Sequence, residues 1–139
     1  MSGKSFVDTN VLIYAYDLDA GKKHTVAANI LRELWLNGDG AISTQVLQEF
    51  YVNVTKKIPK PLSPLEARVI ISRYLVWHVE ENTLDSILKA SEIQERCQLS
   101  FWDSLMAAAA AKASASVLLS EDLNHGQIIE GVKVINPFQ

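Results

Sequence analysis

One cysteine, Cys97, is all that the 139 residues carry, so the chain holds no internal disulfide and no cysteine-rich zinc site. No uninterrupted apolar run approaches the roughly 18–20 residues that a membrane span requires, and no membrane association is expected. Positions 1–5 are polar and the next apolar stretch is broken by Asp8 and Asn10, which predicts no secretory leader. These features together predict a cytoplasmic protein. Positive charge is also scarce: 13 Lys and Arg stand against 16 Asp and Glu, a net charge of −3. That balance excludes a protein that grips polyanions through bulk positive charge. A nucleic acid would have to be held locally, with several acids neutralised by a cation.

The familiar cofactor and nucleophile motifs are missing as well. There is no G-x-G-x-x-G and no G-x-S-x-G. Ser2-Gly3-Lys4-Ser5 resembles the end of a phosphate-binding loop, but no glycine or strand precedes it and a strand, not a helix, follows. His24, His78 and His125 are scattered at spacings that match no zinc motif.

What the chain does have is an alternation of short apolar runs and helical stripes. Residues 5–7, 41–43, 116–120 and 132–135 read as strands, with 78–81 as a further strand or a connector. Helical spacing covers 23–36, through Val26, Ala27, Ile30, Leu31 and Leu34, and Asn37-Gly38 ends it. Val46, Phe50 and Val54 form one stripe over 44–57. Ser63, Pro64 and Glu66 make a capping box that opens a helix over 63–77. In 83–97, Leu84, Ile87, Leu88, Ser91 and Ile93 are expected on one side. Residues 102–115 have an alanine-rich face suited to close packing. Strands alternating with helices predict one three-layer α/β/α domain over 1–139 with a central, mostly parallel sheet.

The chemistry lies in acids at unusual places. Asp8 ends the first strand, Glu49 lies in the helix after the second, Asp103 opens the alanine-rich helix, and Glu121-Asp122 follow the 116–120 strand. Each has an ordinary reading: a cap for Asp8, a helix-dipole partner for Asp103, a solvated helix residue for Glu49, turn formers for Glu121 and Asp122. Together they read differently, because the carboxyl ends of parallel strands share one edge of a sheet, where α/β folds bind ligands. Crowded carboxylates raise one another's pKa unless a cation neutralises them, and an all-oxygen set favours Mg²⁺ or Mn²⁺ over zinc.

The segments FVDTNVLIYAYD, STQVLQEFYVNV, LSFWDSLMAAAA and LLSEDLNHG resemble, in order and spacing, the four acidic motifs of PIN domains, and most of all those of VapC-type toxin ribonucleases. The resemblance runs from Ser5 to about Gly126. It implies that Asp8, Glu49, Asp103 and Asp122 are the catalytic and metal-binding acids, with Asp8 and Asp103 holding a first ion. Glu49 and Asp122 would complete the site or orient water. Ser120-Glu121-Asp122 matches the S/T-x-D motif and selects Asp122 over Glu121, which should point away. Asn10 corresponds to the polar residue that orders the first acid. The aromatic usual after the fourth motif is replaced by Leu123-Asn124-His125-Gly126, so His125 either touches substrate or is an exposed turn histidine.

The implied activity is Mg²⁺- or Mn²⁺-dependent hydrolysis of RNA, with an antitoxin protein as partner and a two-fold homodimer as the assembly. Trp35, Tyr51, Tyr74 and Trp77, more aromatics than one small core obviously needs, point the same way. Lys56, Lys57, Lys60, Lys22 and Lys23 are the cations expected beside the cleft. Two other readings compete. An aspartyl-nucleophile phosphohydrolase needs a second aspartate where Asn10 stands and a lysine that 113–120 lacks. A catalytically silent PIN-like binding module would keep the acids as structure.

Overall fold

The computed structural model describes residues 3–139; Met1 and Ser2, where the polar start and the Ser-Gly-Lys-Ser segment begin, lie outside the described residues. The chain runs β1 (Lys4–Val7), α1 (Thr9–Tyr16), a 3₁₀ turn (Leu18–Ala20), α2 (Lys22–Asn37), β2 (Gly40–Ser43), α3 (Thr44–Lys56) and α4 (Pro64–Arg73). A second 3₁₀ turn (Tyr74–Val76) leads to β3 (His78–Glu80), α5 (Leu84–Cys97), α6 (Phe101–Lys112), β4 (Ala115–Leu119), β5 (Ile128–Ile129) and β6 (Val132–Ile135). The strands form one sheet in the order β3-β2-β1-β4-β6-β5, parallel throughout except for the β5–β6 pair. From β1 the chain builds outward through β2 and β3, then returns to the other side of β1 with β4. Crossovers in opposite directions from β1 put helices on both faces. Helix α6 packs on β2, β3, β4 and β6 with α5 behind it, while on the other side α1 packs between α2 and α3, and α4 packs on α3.

The expected start and stop signals are used. Gly38 closes α2 in a left-handed conformation, φ 76°, that a side chain would resist. The Ser63 hydroxyl accepts from the Glu66 N–H at 3.1 Å and the Glu66 carboxylate accepts from the Ser63 N–H at 2.9 Å. Val46, Phe50 and Val54 are fully buried, as their stripe predicts. Strand β5 was not anticipated. Its two residues carry no periodic signal, and it forms because Glu130 and Gly131, both at positive φ, make a tight hairpin turn onto β6.

Two expectations are corrected. In α5, Leu84, Ile87 and Leu88 are exposed, and the inward side is Ser86, Ala90 and Ile93. Ile93 is nine residues from Leu84, which at about 100° per residue is half a turn round the helix. The small side chains face α6, whose Ala107 to Ala110 are all buried, and let the two helices approach closely. The aromatics are the second case. Tyr74 and Trp77 are buried and Trp35 half-buried, their rings meeting tilted or edge-on at 4.8–5.3 Å between centroids. They are core, not a surplus for an interface, and Tyr51, half-buried on α3, packs against the same core.

Trp77 also explains Gly40. A Cβ at Gly40 would meet the Trp77 ring at 2.6 Å across the β2–β3 pair. The ring cannot retreat, because Trp35 and Tyr74 pack against it. Gly40→Ala is expected to cost about 1–3 kcal/mol through overpacking. Urea unfolding measures it, and an unchanged midpoint would mean the aromatic cluster is loosely packed.

Candidate functional site

The strand order reverses between β1 and β4, and this is where an open α/β sheet has a crevice beyond its carboxyl ends. Pairing of Val7 with Leu119 continues one residue further, the Asp8 N–H donating to the Leu119 carbonyl at 3.0 Å. The next residues, Asp8 and Ser120, therefore stand side by side. The Ser120 hydroxyl donates to Asp8 Oδ2 at 2.6 Å and accepts from the Asp122 N–H at 3.2 Å. Asp8 is also the N-cap of α1, accepting from the Thr9 N–H at 2.6 Å. The capping role and the cleft position belong to the same side chain.

Asp8, Glu49, Asp103 and Asp122 all line one cleft of about 530 Å³, with Thr9, Asn10, Gln45, Val52, Lys57, Trp102 and Met106 among the other walls. Asn10, expected to order the first acid, orders the fourth instead: its Nδ2 donates to Asp122 Oδ2 at 3.0 Å, while Asp8 is held by Ser120 and the Thr9 N–H. Asp103 sits in the first turn of α6, its N–H donating to the Ser100 cap at 3.0 Å. Glu49 is held by two side chains that motif reading had not assigned to the site. The Thr9 hydroxyl donates to Oε1 at 2.5 Å, and Gln45 Nε2 donates to Oε2 at 3.3 Å and to the Trp102 carbonyl at the same distance. Buried Gln45 thus ties α3 to the start of α6. Its place one helical turn before Glu49 was the only available signal.

Glu121 points away from the cleft. Its carboxylate accepts from the Tyr14 hydroxyl at 2.5 Å and pairs with Lys23 at 2.7 Å, so Lys23 is engaged there. Of the five lysines expected beside the cleft, only Lys57 lines it. His125 is exposed and outside the cleft; its Nδ1 accepts from the Asn136 N–H at 3.0 Å, a turn role.

The electrostatics register the crowding. Burial pushes the Asp8 carboxyl up to about 7, against the hydrogen bonds from Ser120 and Thr9, and the charges of Asp122 and Asp103 add to the rise. Asp122 is raised too, by partial burial and then by Asp103 and Glu121, with Lys23 and Asn10 opposing. Among the described residues, no three His, Cys, Asp or Glu side chains converge closely enough to hold an ion between them. The four acids implied as one metal-binding set share the cleft but do not stand at ion-sharing distance. Like charges separate, and Glu49 is pinned by Thr9 and Gln45. The donor set itself, carboxylate oxygens with a proton held near neutrality, suits a hard divalent cation.

A raised acid binds its proton more tightly folded than unfolded. Asp8 therefore stabilises the fold fully below its unfolded value of 3.8, and that contribution is lost as pH rises towards 7, at up to roughly 1.4 kcal/mol per unit. Comparing chelator-treated wild type with Asp8→Asn in thermal melts isolates this slope. Asp8→Asn is expected to be the more stable protein at pH 8 and to lose that advantage by pH 4. Parallel curves would mean Asp8 ionises without cost.

Comparison with known proteins bears on the fold and the family. A chain of a toxin–antitoxin complex from Klebsiella pneumoniae matches with a TM-score of 0.70 at 21% identity, over 96% of this chain and 98% of that one. VapC20 of Mycobacterium tuberculosis, described as a toxin that cleaves the sarcin–ricin loop, matches at 0.67 and 20%, over 91% and 98%. VapBC2 of Rickettsia felis, solved with a DNA fragment from its promoter, matches at 0.65 and 18%, over 94% and 96%. At these identities the likeness is one of fold. No curated protein matches the sequence. The PIN domain profile matches residues 5–129, which takes in all four cleft acids and, apart from Lys4, every strand of the sheet but the last. By that match, the chain belongs to the PIN domain family.

Proposed function

We propose that this protein is a metal-dependent endoribonuclease that hydrolyses RNA phosphodiester bonds and acts in the cytoplasm as the toxin of a toxin–antitoxin pair. The observation that carries the reading is the gathering of Asp8, Glu49, Asp103 and Asp122, from four separate segments, into one cleft at the switch point of the sheet. Family membership supports it, and so do the toxins among the structural neighbours.

Asp8 and Asp103 would hold Mg²⁺ or Mn²⁺, with Asp122 drawn in to complete the site and the proton on Asp8 displaced. Bound there, the cation supplies Lewis-acid charge for the scissile phosphate and makes water a better nucleophile. The chain's own residues do the positioning. Ser120 fixes the Asp8 carboxyl, Asn10 fixes Asp122, and Glu49, held by Thr9 and Gln45, takes the water-orienting role.

RNA cleavage with Mg²⁺, with chelator, and with Asp8→Asn and Asp103→Asn tests this reading. Each substitution is expected to reduce cleavage by about a hundredfold or more, the several kcal/mol of charge stabilisation that a metal site contributes. Chelation should abolish cleavage, and His125→Ala should leave it intact. Full cleavage by either Asn variant would sink the assignment, and a wild type that binds Mg²⁺ without cleaving RNA would favour a silent binding module.

The partner belongs to the same reading: an antitoxin protein, as in the complexes solved for the neighbours. A homodimer is part of it too, supported by the exposed Leu84, Ile87 and Leu88 stripe on α5 in place of the aromatics now assigned to the core. Light scattering at high concentration is expected to give twice the 15.4 kDa chain mass. A monomer would end the dimer claim.

A further inference from the structure

The cleft is better equipped to hold a base than to hold a phosphate chain. Trp102 is 62% exposed at the cleft wall, whereas Trp77 is buried and Trp35 half-buried in the aromatic cluster. Tryptophan pairs a large apolar face with a polar handle and is enriched at interfaces, which suits an indole left in water beside a polar site to a contact role. Its placement is well determined on the protein side. The Phe101 ring meets it edge-on at 5.3 Å, and its carbonyl accepts from buried Gln45 at 3.3 Å, so the indole rides on backbone anchored to α3. Partly exposed Val52 and buried Met106 continue the apolar part of the wall.

We propose that Trp102 is the platform on which an unpaired RNA base stacks, next to the scissile phosphate; the inference rests on the nuclease reading above. Two observations favour a base as the occupant. Trp102 lines the same cleft as Asp8, Asp103 and Asp122, so a base on the indole keeps its own phosphate within reach of the acids. The cleft also offers a single lysine, Lys57, in a chain of net charge −3. Phosphate contacts alone give such a site little grip, while stacking is indifferent to charge and to base identity. A base must leave its helix to stack on a side chain, so the substrate is a loop or single strand and not a continuous duplex.

The test compares wild type, Trp102→Ala and Trp102→Phe on one short RNA oligonucleotide, single-stranded or annealed to its complement. Trp102→Ala is expected to raise KM for the single strand roughly 5- to 100-fold, the range for losing one stacked base, with a smaller change in kcat. Trp102→Phe should recover most of the loss. In an Asp8→Asn background, the single strand should quench tryptophan fluorescence, and adding Trp102→Phe should remove the quenching. Binding there should weaken only slowly with KCl, with a log–log slope of about −0.7 for one phosphate contact on a single strand. An unchanged KM in Trp102→Ala, absent quenching, or equal cleavage of the duplex overturns the proposal. If RNA leaves the fluorescence and KM untouched, the proposal falls and the indole is left to some other contact, such as a protein partner. A wild type that neither binds nor cleaves RNA removes the nuclease reading and this inference together, whereas cleavage indifferent to Trp102 removes only the latter.

Discussion

The register of β1 against β4 is the constraint from which the site follows. Those two central strands pair in parallel up to Val7 and Leu119, and one more backbone bond carries the pairing to Asp8. A carboxyl that ends β1 is thereby brought beside the hydroxyl that ends β4, 112 positions later. Ser120 then serves two acids at once, giving its proton to Asp8 and receiving the Asp122 N–H. A slip of one residue would turn Ser120 to the opposite face of the sheet and leave Asp8 buried without its partner. Phe6 and Val7 on β1, and Leu118 and Leu119 on β4, are all buried, so such a slip would also disrupt the packing on both faces of the sheet, and the core enforces the register that the chemistry needs.

The second layer of order works through helix starts. Asp8, Ser43 and Ser100 are N-caps of α1, α3 and α6, and each of those helices contributes to the cleft within its first two turns. Capping fixes where a helix begins and hence where its early side chains point. The Thr9–Glu49–Gln45–Trp102 chain of hydrogen bonds joins the three starts to one another. The arrangement carries an electrostatic cost, visible in Asp8, whose carboxyl is pushed to about 7 by burial and by its neighbours. A folded chain accepts such a cost at a site that handles charge, since the same crowding that disfavours bare carboxylates favours a cation among them.

Reading the chain alone reached some parts of this and not others, for identifiable reasons. The strand-helix alternation, the Ser63 capping box and the stripe of Val46, Phe50 and Val54 are local signals, and the fold uses them as written. Helix α5 misled because its larger apolar side chains face outward. The deciding factor was the alanine face of α6, which accepts Ser86 and Ala90 more closely than leucines. Lys23 looked like a substrate contact and is engaged by Glu121 instead, a pairing 98 positions apart. Trp102 lay inside a recognised motif, yet nothing local distinguished it from Trp77, which the core absorbs.

What the sequence by itself determined is the set of acids and the order of the elements that carry them, because motif spacing and helix caps act over a few residues. Tertiary structure alone decided which of those acids meet and which side chains hold them. Ser120 could find Asp8, Thr9 could find Glu49, and Gln45 could find Trp102 only once the parallel sheet had closed. The physical reason is that hydrogen bonds and charges reach a few ångströms while their partners stand 40 to 112 residues apart. The chain names the groups, and packing sets the distances between them.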